Sequence, residues 1–246
     1  MKRFYLGLLL IFSVLIFSAC SGEKQSNRIY TGTIEATEVN IQSEIAGRIT
    51  DVYVKEGDEV KKGEKIAQLD VKQYQEQAKA AKAALDIAQL KYDRVKNTNG
   101  AELDAAKLNL EQAQAAYSLA NLAVEKGIIT APMDGTITGV YLNRGEVVAS
   151  GGIVAQLSDL GDLWVKIYVP EKELYKVSLN EKVYVKVDFL KGYVTGKVIF
   201  ISPEGEFTPK NAVTRSSKED VVHEVKVQIM DHIKDLKPGM LADVRI

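Results

Sequence analysis

Residues 45–70 read IAGRITDVYVKEGDEVKKGEKIAQLD, and residues 133–158 read MDGTITGVYLNRGEVVASGGIVAQLS. At an offset of 88 and with no gap, 11 of the 23 positions from Gly47 to Leu69 are identical. Gly47 matches Gly135, Ile49 Ile137, Tyr53 Tyr141, Gly57 Gly145 and Gly63 Gly151, and Ala67-Gln68-Leu69 returns as Ala155-Gln156-Leu157. Such a repeat means one supersecondary unit used twice. Each copy carries the apolar alternation of short strands, with Lys55-Glu56-Gly57 and Asn143-Arg144-Gly145 as turns. Gly57 and Gly145 are expected to supply positive φ or a tight turn. Neither copy has enough strand to bury a sheet face alone, so the two are expected to pack face to face as a small sandwich formed by 29–70 and 128–159.

The insert between the copies has a different period. Val71, Tyr74, Ala78, Ala81, Leu85, Ala88, Tyr92 and Val95 follow a 3,4 spacing without a break, and so do Leu103, Ala106, Leu110, Ala113, Tyr117, Ala120 and Val124. Asn97-Thr98-Asn99-Gly100 between them is a turn signal. The pattern predicts an antiparallel coiled-coil hairpin over 71–127, with arms of roughly 40 Å at about 1.5 Å per residue. Ala is the commonest seam residue, at six of the fifteen positions, so the arms approach closely and bury little area. A second, weaker apolar stripe comprises Ile87 and Leu90 on one arm and Ala115, Leu119 and Leu122 on the other. It reads either as tolerated surface or as a seam with a neighbouring subunit or partner helix.

At the amino terminus, Lys2 and Arg3 precede an apolar run from Phe4 to Ala19, followed by Cys20, the one cysteine of the chain. The run is short for a spanning helix, which needs about 20 residues, and fits the apolar core of a signal peptide over 1–19. Phe17-Ser18-Ala19-Cys20 resembles a bacterial lipobox. The resemblance implies cleavage between Ala19 and Cys20, a covalent diacylglyceryl lipid on Cys20, and a polar tether over 20–28. With no other cysteine the exported part holds no disulfide. Loss of Lys2 and Arg3 leaves 30 basic and 33 acidic residues of the 32 and 33 encoded, and this mixed balance leaves no basic footprint for nucleic acid.

After Asp159-Leu160-Gly161-Asp162 the texture changes. Residues 163–169, 182–187 and 221–229 alternate, with Gly and Pro between them and a short helical turn near 170–177. A small β-barrel over 160–246 is expected, with Trp164 and Tyr168 in its core. Residues 29–41 are expected to form a strand that opens the sandwich. The fold class is therefore mainly β with an inserted α-helical hairpin.

No enzymatic constellation stands out. His223 and His232 are the only histidines and have no cysteine partner, whereas zinc requires three or four convergent ligands. Asp58-Glu59 and Glu219-Asp220 read as solvated charges beside turns, and Gly151-Gly152 lacks the strand-to-helix context of a phosphate cradle. No catalytic residue, metal or cofactor is expected.

The two half-repeats resemble the biotinyl/lipoyl fold. Lys72 lies near the position of that fold's carrier lysine, but no Met flanks it and the second half does not follow promptly. Taken together, the lipobox, the split lipoyl-like halves, the inserted hairpin and the trailing β region resemble the membrane-fusion (periplasmic adaptor) family, the HlyD-like proteins of bacterial exporters. GRITDVYVKEGDEVKKGEKIAQLD, IITAPMDGTITGVYLNRGEVV, FTPKNAVT (207–214) and the terminal LKPGMLADVRI carry the resemblance. It implies a non-enzymatic coupler on an inner-membrane pump, often an ABC permease with its ATPase, assembled as a ring that is commonly hexameric. The hairpin tip (Arg94, Asn97, Asn99, Gly100 and Leu103) is then the candidate partner contact. Family members that dock on an outer-membrane exit duct carry an Arg, Leu and Ser set there. Here the spacing of Arg94 and Leu103 differs and Lys107 stands in place of Ser, which argues against such a duct. The competing expectation is a monomeric extracytoplasmic lipoprotein that binds a solute or metal.

Overall fold

The computed structural model describes residues 28–207 and 221–246. Ala19, Cys20, the signal segment and all but the first residue of FTPKNAVT lie outside the described residues. The strands are β1 (Ile29–Gln42), β2 (Gly47–Val52), β3 (Glu59–Val60), β4 (Lys65–Leu69), β5 (Ile128–Thr130), β6 (Gly135–Val140), β7 (Val147–Val148), β8 (Ile153–Pro170), β9 (Lys182–Lys186), β10 (Val194–Phe207), β11 (Val221–Ile229) and β12 (Leu241–Arg245). Two long helices, α1 (Lys72–Val95) and α2 (Ala101–Glu125), interrupt the first half of this series, and a single turn, α3 (Glu171–Leu174), follows β8.

The repeat appears as interlocked halves. Gly57 N–H donates to the Ile137 carbonyl at 2.8 Å, and its counterpart Gly145 N–H donates to Ile49 at 2.8 Å. Ile137 N–H returns to Asp58, and Ile49 N–H returns to Glu146. Gly57 and Gly145 have φ of 92° and 93°, a region that disfavours any side chain with a Cβ. Tyr53 donates to Gln68 Oε1 at 2.8 Å, and Tyr141 donates to Gln156 Oε1 at 3.0 Å. The same bonds continue upstream of the identical residues. Gly63 N–H donates to Ala131, and Gly151 N–H to Ser43, again 88 apart. Each turn thus closes on a strand of the other half, and neither half can satisfy its backbone alone. Ile49, Ile66, Leu69, Ile137, Val154 and Leu157 fill the core between them.

The second core lies among β1, β12, β9, β10, β11 and β8. These strands pair in that order, and β8 pairs again with β1, so the hydrogen-bonded ladder returns to its start. Val165, Ile167, Val183, Val185, Val198, Val227 and Val244 point inward. β-branched side chains suit a pleated surface packed on one side.

Three sequence expectations differ here. The strand starting at residue 29 does not serve the sandwich alone. Its first part pairs with β12, from Ile29↔Arg245 to Thr33↔Leu241, and Ile34 belongs to the second core. The boundary expected at 159/160 falls inside one strand, β8, which pairs with β6 at one end and β11 at the other. Asp159-Leu160-Gly161-Asp162 is a bulge within that strand. The register moves from Ala36↔Leu163 to Thr37↔Asp159, and Gly161 N–H bonds Asp159 Oδ1 at 2.9 Å. Such an insertion bends a strand pair, here between the two cores. Finally, Trp164 and Tyr168 face outward, while Leu163, Val165, Ile167 and Val169 are fully buried. Lys226 Nζ sits 5.4 Å from the Trp164 ring and 5.6 Å from Phe200, on the outer surface.

Candidate interaction surfaces

The helix pair extends from the sandwich at β4 and returns at β5. Its burial follows the two 3,4 series. Ala78, Leu85 and Ala88 are buried on α1, and Leu103, Ala106, Leu110, Ala113, Tyr117, Ala120 and Val124 are half-buried on α2. Among the described residues α2 buries no side chain fully. Ion pairs on the outside, Lys79–Glu76 and Lys82–Asp86, are solvent-exposed, and such pairs contribute little to stability.

The exposed apolar residues of the pair obey one rule. Ile87 and Leu90 lie two positions after the seam residues Leu85 and Ala88. Leu108, Ala115, Leu119 and Leu122 lie two positions after Ala106, Ala113, Tyr117 and Ala120. Two residues are about 200° around a helix of 3.6 residues per turn, so these side chains point directly away from the partner helix. Ile87 is 55% exposed, Leu90 60%, Leu108 66% and Leu119 69%. The sequence stripe lacked Leu108, which the same two-residue offset identifies. The result is an apolar line along each outer edge of the pair, one on α1 and one on α2.

At the tip, Thr98 Oγ1 donates to the Val95 carbonyl at 2.7 Å and closes α1. Gly100, at φ 105°, turns the chain into α2. Glu102 and Asp104 occupy the first turn of α2, where carboxylates favour the helix dipole. Hydrogen bonds from Lys96 and Gln89 hold the Asp93 carboxyl below its ordinary range. Arg94, Asn97 and Asn99 are exposed, whereas Leu103 is half-buried in the seam and faces α1. The tip therefore presents polar groups and one guanidinium.

Among the described residues, no group of three or more His, Cys, Asp or Glu converges as metal ligands. His223 Nδ1 lies 2.9 Å from the Ser202 carbonyl, and His232 lies 3.5 Å from Asp235, so both have local partners. An open cleft of about 890 Å³ between the two cores is lined by Glu59, Lys61, Glu64, Asp134, Asp159 and Lys234, among others. Val60, Leu160 and Ile233 also line it, but it stands open to solvent and lacks the enclosure of a small-molecule pocket. No described helix is long and apolar enough to cross a membrane.

The chain thus combines a two-helix rod inserted into a split sandwich with a second β unit built from shared strands. Residues 37–157 match the family model "RND MFP, barrel-sandwich hybrid domain", so this region is the barrel-sandwich hybrid domain of a membrane-fusion (periplasmic adaptor) type. Solved structures share the fold. A MacA–MexA chimera containing the α-hairpin domain of Pseudomonas aeruginosa MexA is 24% identical, with a TM-score of 0.79 over 92% of this chain and 83% of that one. The membrane fusion protein Spr0693 of Streptococcus pneumoniae R6 is 18% identical, with a TM-score of 0.72 over 88% and 97%. MacA of Actinobacillus actinomycetemcomitans is 24% identical, with a TM-score of 0.66 over 90% and 79%. At these identities the likeness is one of fold.

Proposed function

We propose that this chain is the non-enzymatic adaptor subunit of a bacterial efflux or export complex. It couples an inner-membrane pump, an ABC permease with its ATPase, to an extracytoplasmic conduit. The helix pair is its coiled-coil hairpin and the strand cycle its β-barrel. A diacylglyceryl lipid on Cys20 holds it to the outer face of the cell membrane. Two or more acyl chains suffice for stable attachment where one is marginal.

The observation that carries this reading is the pair of exposed apolar lines on opposite edges of the hairpin. One edge cannot meet itself and the other at once within a twofold dimer. Opposite edges instead suit heterologous, head-to-tail contact, which closes into a ring when the rotation permits. Copies standing side by side would form a wall of hairpins, and pump motion would pass through their contacts. The polar tip and Lys107 favour a complex without tip-to-tip docking on an outer-membrane duct.

Within this reading the contact follows from position along the two helices. Leu90 and Leu108 lie nine residues on either side of Asn99, at one height on opposite edges. In a ring whose axis runs along the hairpins, Leu90 of one copy meets Leu108 of the next. Cys20 is the single native cysteine and is acylated in this reading. Leu90→Cys with Leu108→Cys in one chain should therefore give a ladder of disulfide-linked multimers in native membranes. Neither single variant should pass beyond a trace of dimer. Absence of the ladder would contradict the ring.

A further inference from the structure

The end of the strand cycle farthest from the sandwich carries an apolar feature that the adaptor reading leaves unused. β8 runs from the sandwich at Leu157 to Pro170, roughly 40 Å at about 3.3 Å per residue, and α3 follows at its end. The turn after α3 is held firmly. Lys176 and Val177 N–H bond the carbonyls of Glu173 and Leu174, Asn180 N–H bonds Val198, and Ser178 N–H bonds Glu181 Oε2 at 3.0 Å. Val177 is buried in the second core. On this fixed frame Tyr175 is 79% exposed and Leu179 57% exposed. Lys172 and Lys176 flank them, with Lys176 Nζ 5.4 Å from the Tyr175 ring.

The first described residue sits at the same end. Arg28 pairs with Glu173 at 2.7 Å, and Tyr30 donates to the same carboxylate at 2.7 Å. Arg28 pairs with the Glu173 carboxylate and offsets its charge beside the neighbouring lysines, and the Tyr30 hydrogen bond, with Arg28 beside it, holds that carboxyl below its ordinary range. Glu171 and Glu181 are the remaining acids of the turn. Cys20 lies eight residues before Arg28, a reach of at most about 29 Å even when fully extended.

We propose that the turn 175–179 rests on the membrane surface itself. Tyr175 and Leu179 enter the headgroup region, and Lys172 and Lys176 face anionic headgroups. A tyrosine with an apolar body and polar tip, beside snorkelling lysines, has the chemistry of the membrane interface. The contact would fix the tilt of the adaptor, which a lipid on a tether alone leaves free. This inference rests on the Cys20 anchor.

The test uses full-length protein reconstituted in phosphatidylethanolamine–phosphatidylglycerol vesicles with brominated acyl chains. Tyr175→Trp is compared with Tyr141→Trp on the sandwich, where the tyrosine is 54% exposed. Emission of the native Trp164 is common to both and is subtracted. The expected result is a blue shift and several-fold stronger quenching for Tyr175→Trp than for Tyr141→Trp. Equal quenching on acylated protein would overturn the membrane contact and leave the anchor standing. So would protection that appears only when the pump is added, which would assign the turn to protein. Intact mass without the acyl group would sink the anchor and this inference together.

Discussion

Gly32→Ala should unfold most of the chain at temperatures where the parent is native. A Cβ at this position would lie 2.1 Å from the Lys166 carbonyl oxygen and 2.7 Å from Ile167 Cγ2. The first of these is backbone in β8 and cannot rotate away. β1 stands between β12 and β8 here, with Thr33 paired to both Leu241 and Lys166, so relief on one side strains the other. Overpacking of this kind costs about 3 kcal/mol or more, a large share of the 5–15 kcal/mol typical of a domain. Urea unfolding followed by circular dichroism measures it. Gly57→Ala is the control, because its Cβ would meet nothing within 4 Å and only the φ of 92° is wrong, which costs about 1–2 kcal/mol. Equal midpoints for the two variants would show that the β1–β8 approach is looser than described.

Leu90→Asp should abolish self-association and with it transport, while leaving the fold intact. At 60% exposure the substitution touches no core, and surface changes of this type stay within about 0.5 kcal/mol. In the assembled ring it would instead bury an unpaired carboxylate against Leu108 of the next copy, which is strongly unfavourable. Leu108→Asp should behave alike, and a mixture of the two distinguishes the symmetry. Each variant alone joins one altered edge to one intact edge and stays monomeric. Mixed, the intact Leu108 edge of one meets the intact Leu90 edge of the other, and assembly stops at heterodimers. Sedimentation analysis in mild detergent reads this directly. An isologous contact through Leu90 alone would leave Leu108→Asp as associated as the parent, and that result would contradict the head-to-tail arrangement.

The parts of this fold that were legible in the sequence are those with an unbroken local period. The 88-residue repeat predicted the matched turns at Gly57 and Gly145 but not that each closes on the other half, and the two 3,4 series predicted which side chains of the helix pair lie inside. The exposed edges were half legible: Leu108 falls outside the stripe because the next outward position, Gln112, is polar, although its two-residue offset from Ala106 marks it. The orientation of β8 was misread because Trp164 and Tyr168 are large. Lys166 between them on the same face carries the better signal, since a lysine seldom points into a small core. The double duty of β1 was not legible at all. Its partner β12 lies more than two hundred residues away (Thr31 bonds Asp243 across 212 positions), and its Thr- and Glu-rich sequence alternates too weakly to assign two cores to one strand. The bulge at Asp159–Asp162 reads as a domain boundary for a related reason: turn residues mark an irregularity, whether the strand ends or only bends.

The most direct test of the adaptor claim is recovery of the acylated, full-length protein from its native membrane in mild detergent, followed by mass spectrometry of what accompanies it. The account predicts an ABC permease and its ATPase in stoichiometric amounts, together with a multimeric mass for this chain. Recovery of a resistance-nodulation-division pump would keep the adaptor and replace its proposed motor. Recovery of the chain alone as a stable monomer would contradict the account and favour a solute-binding lipoprotein.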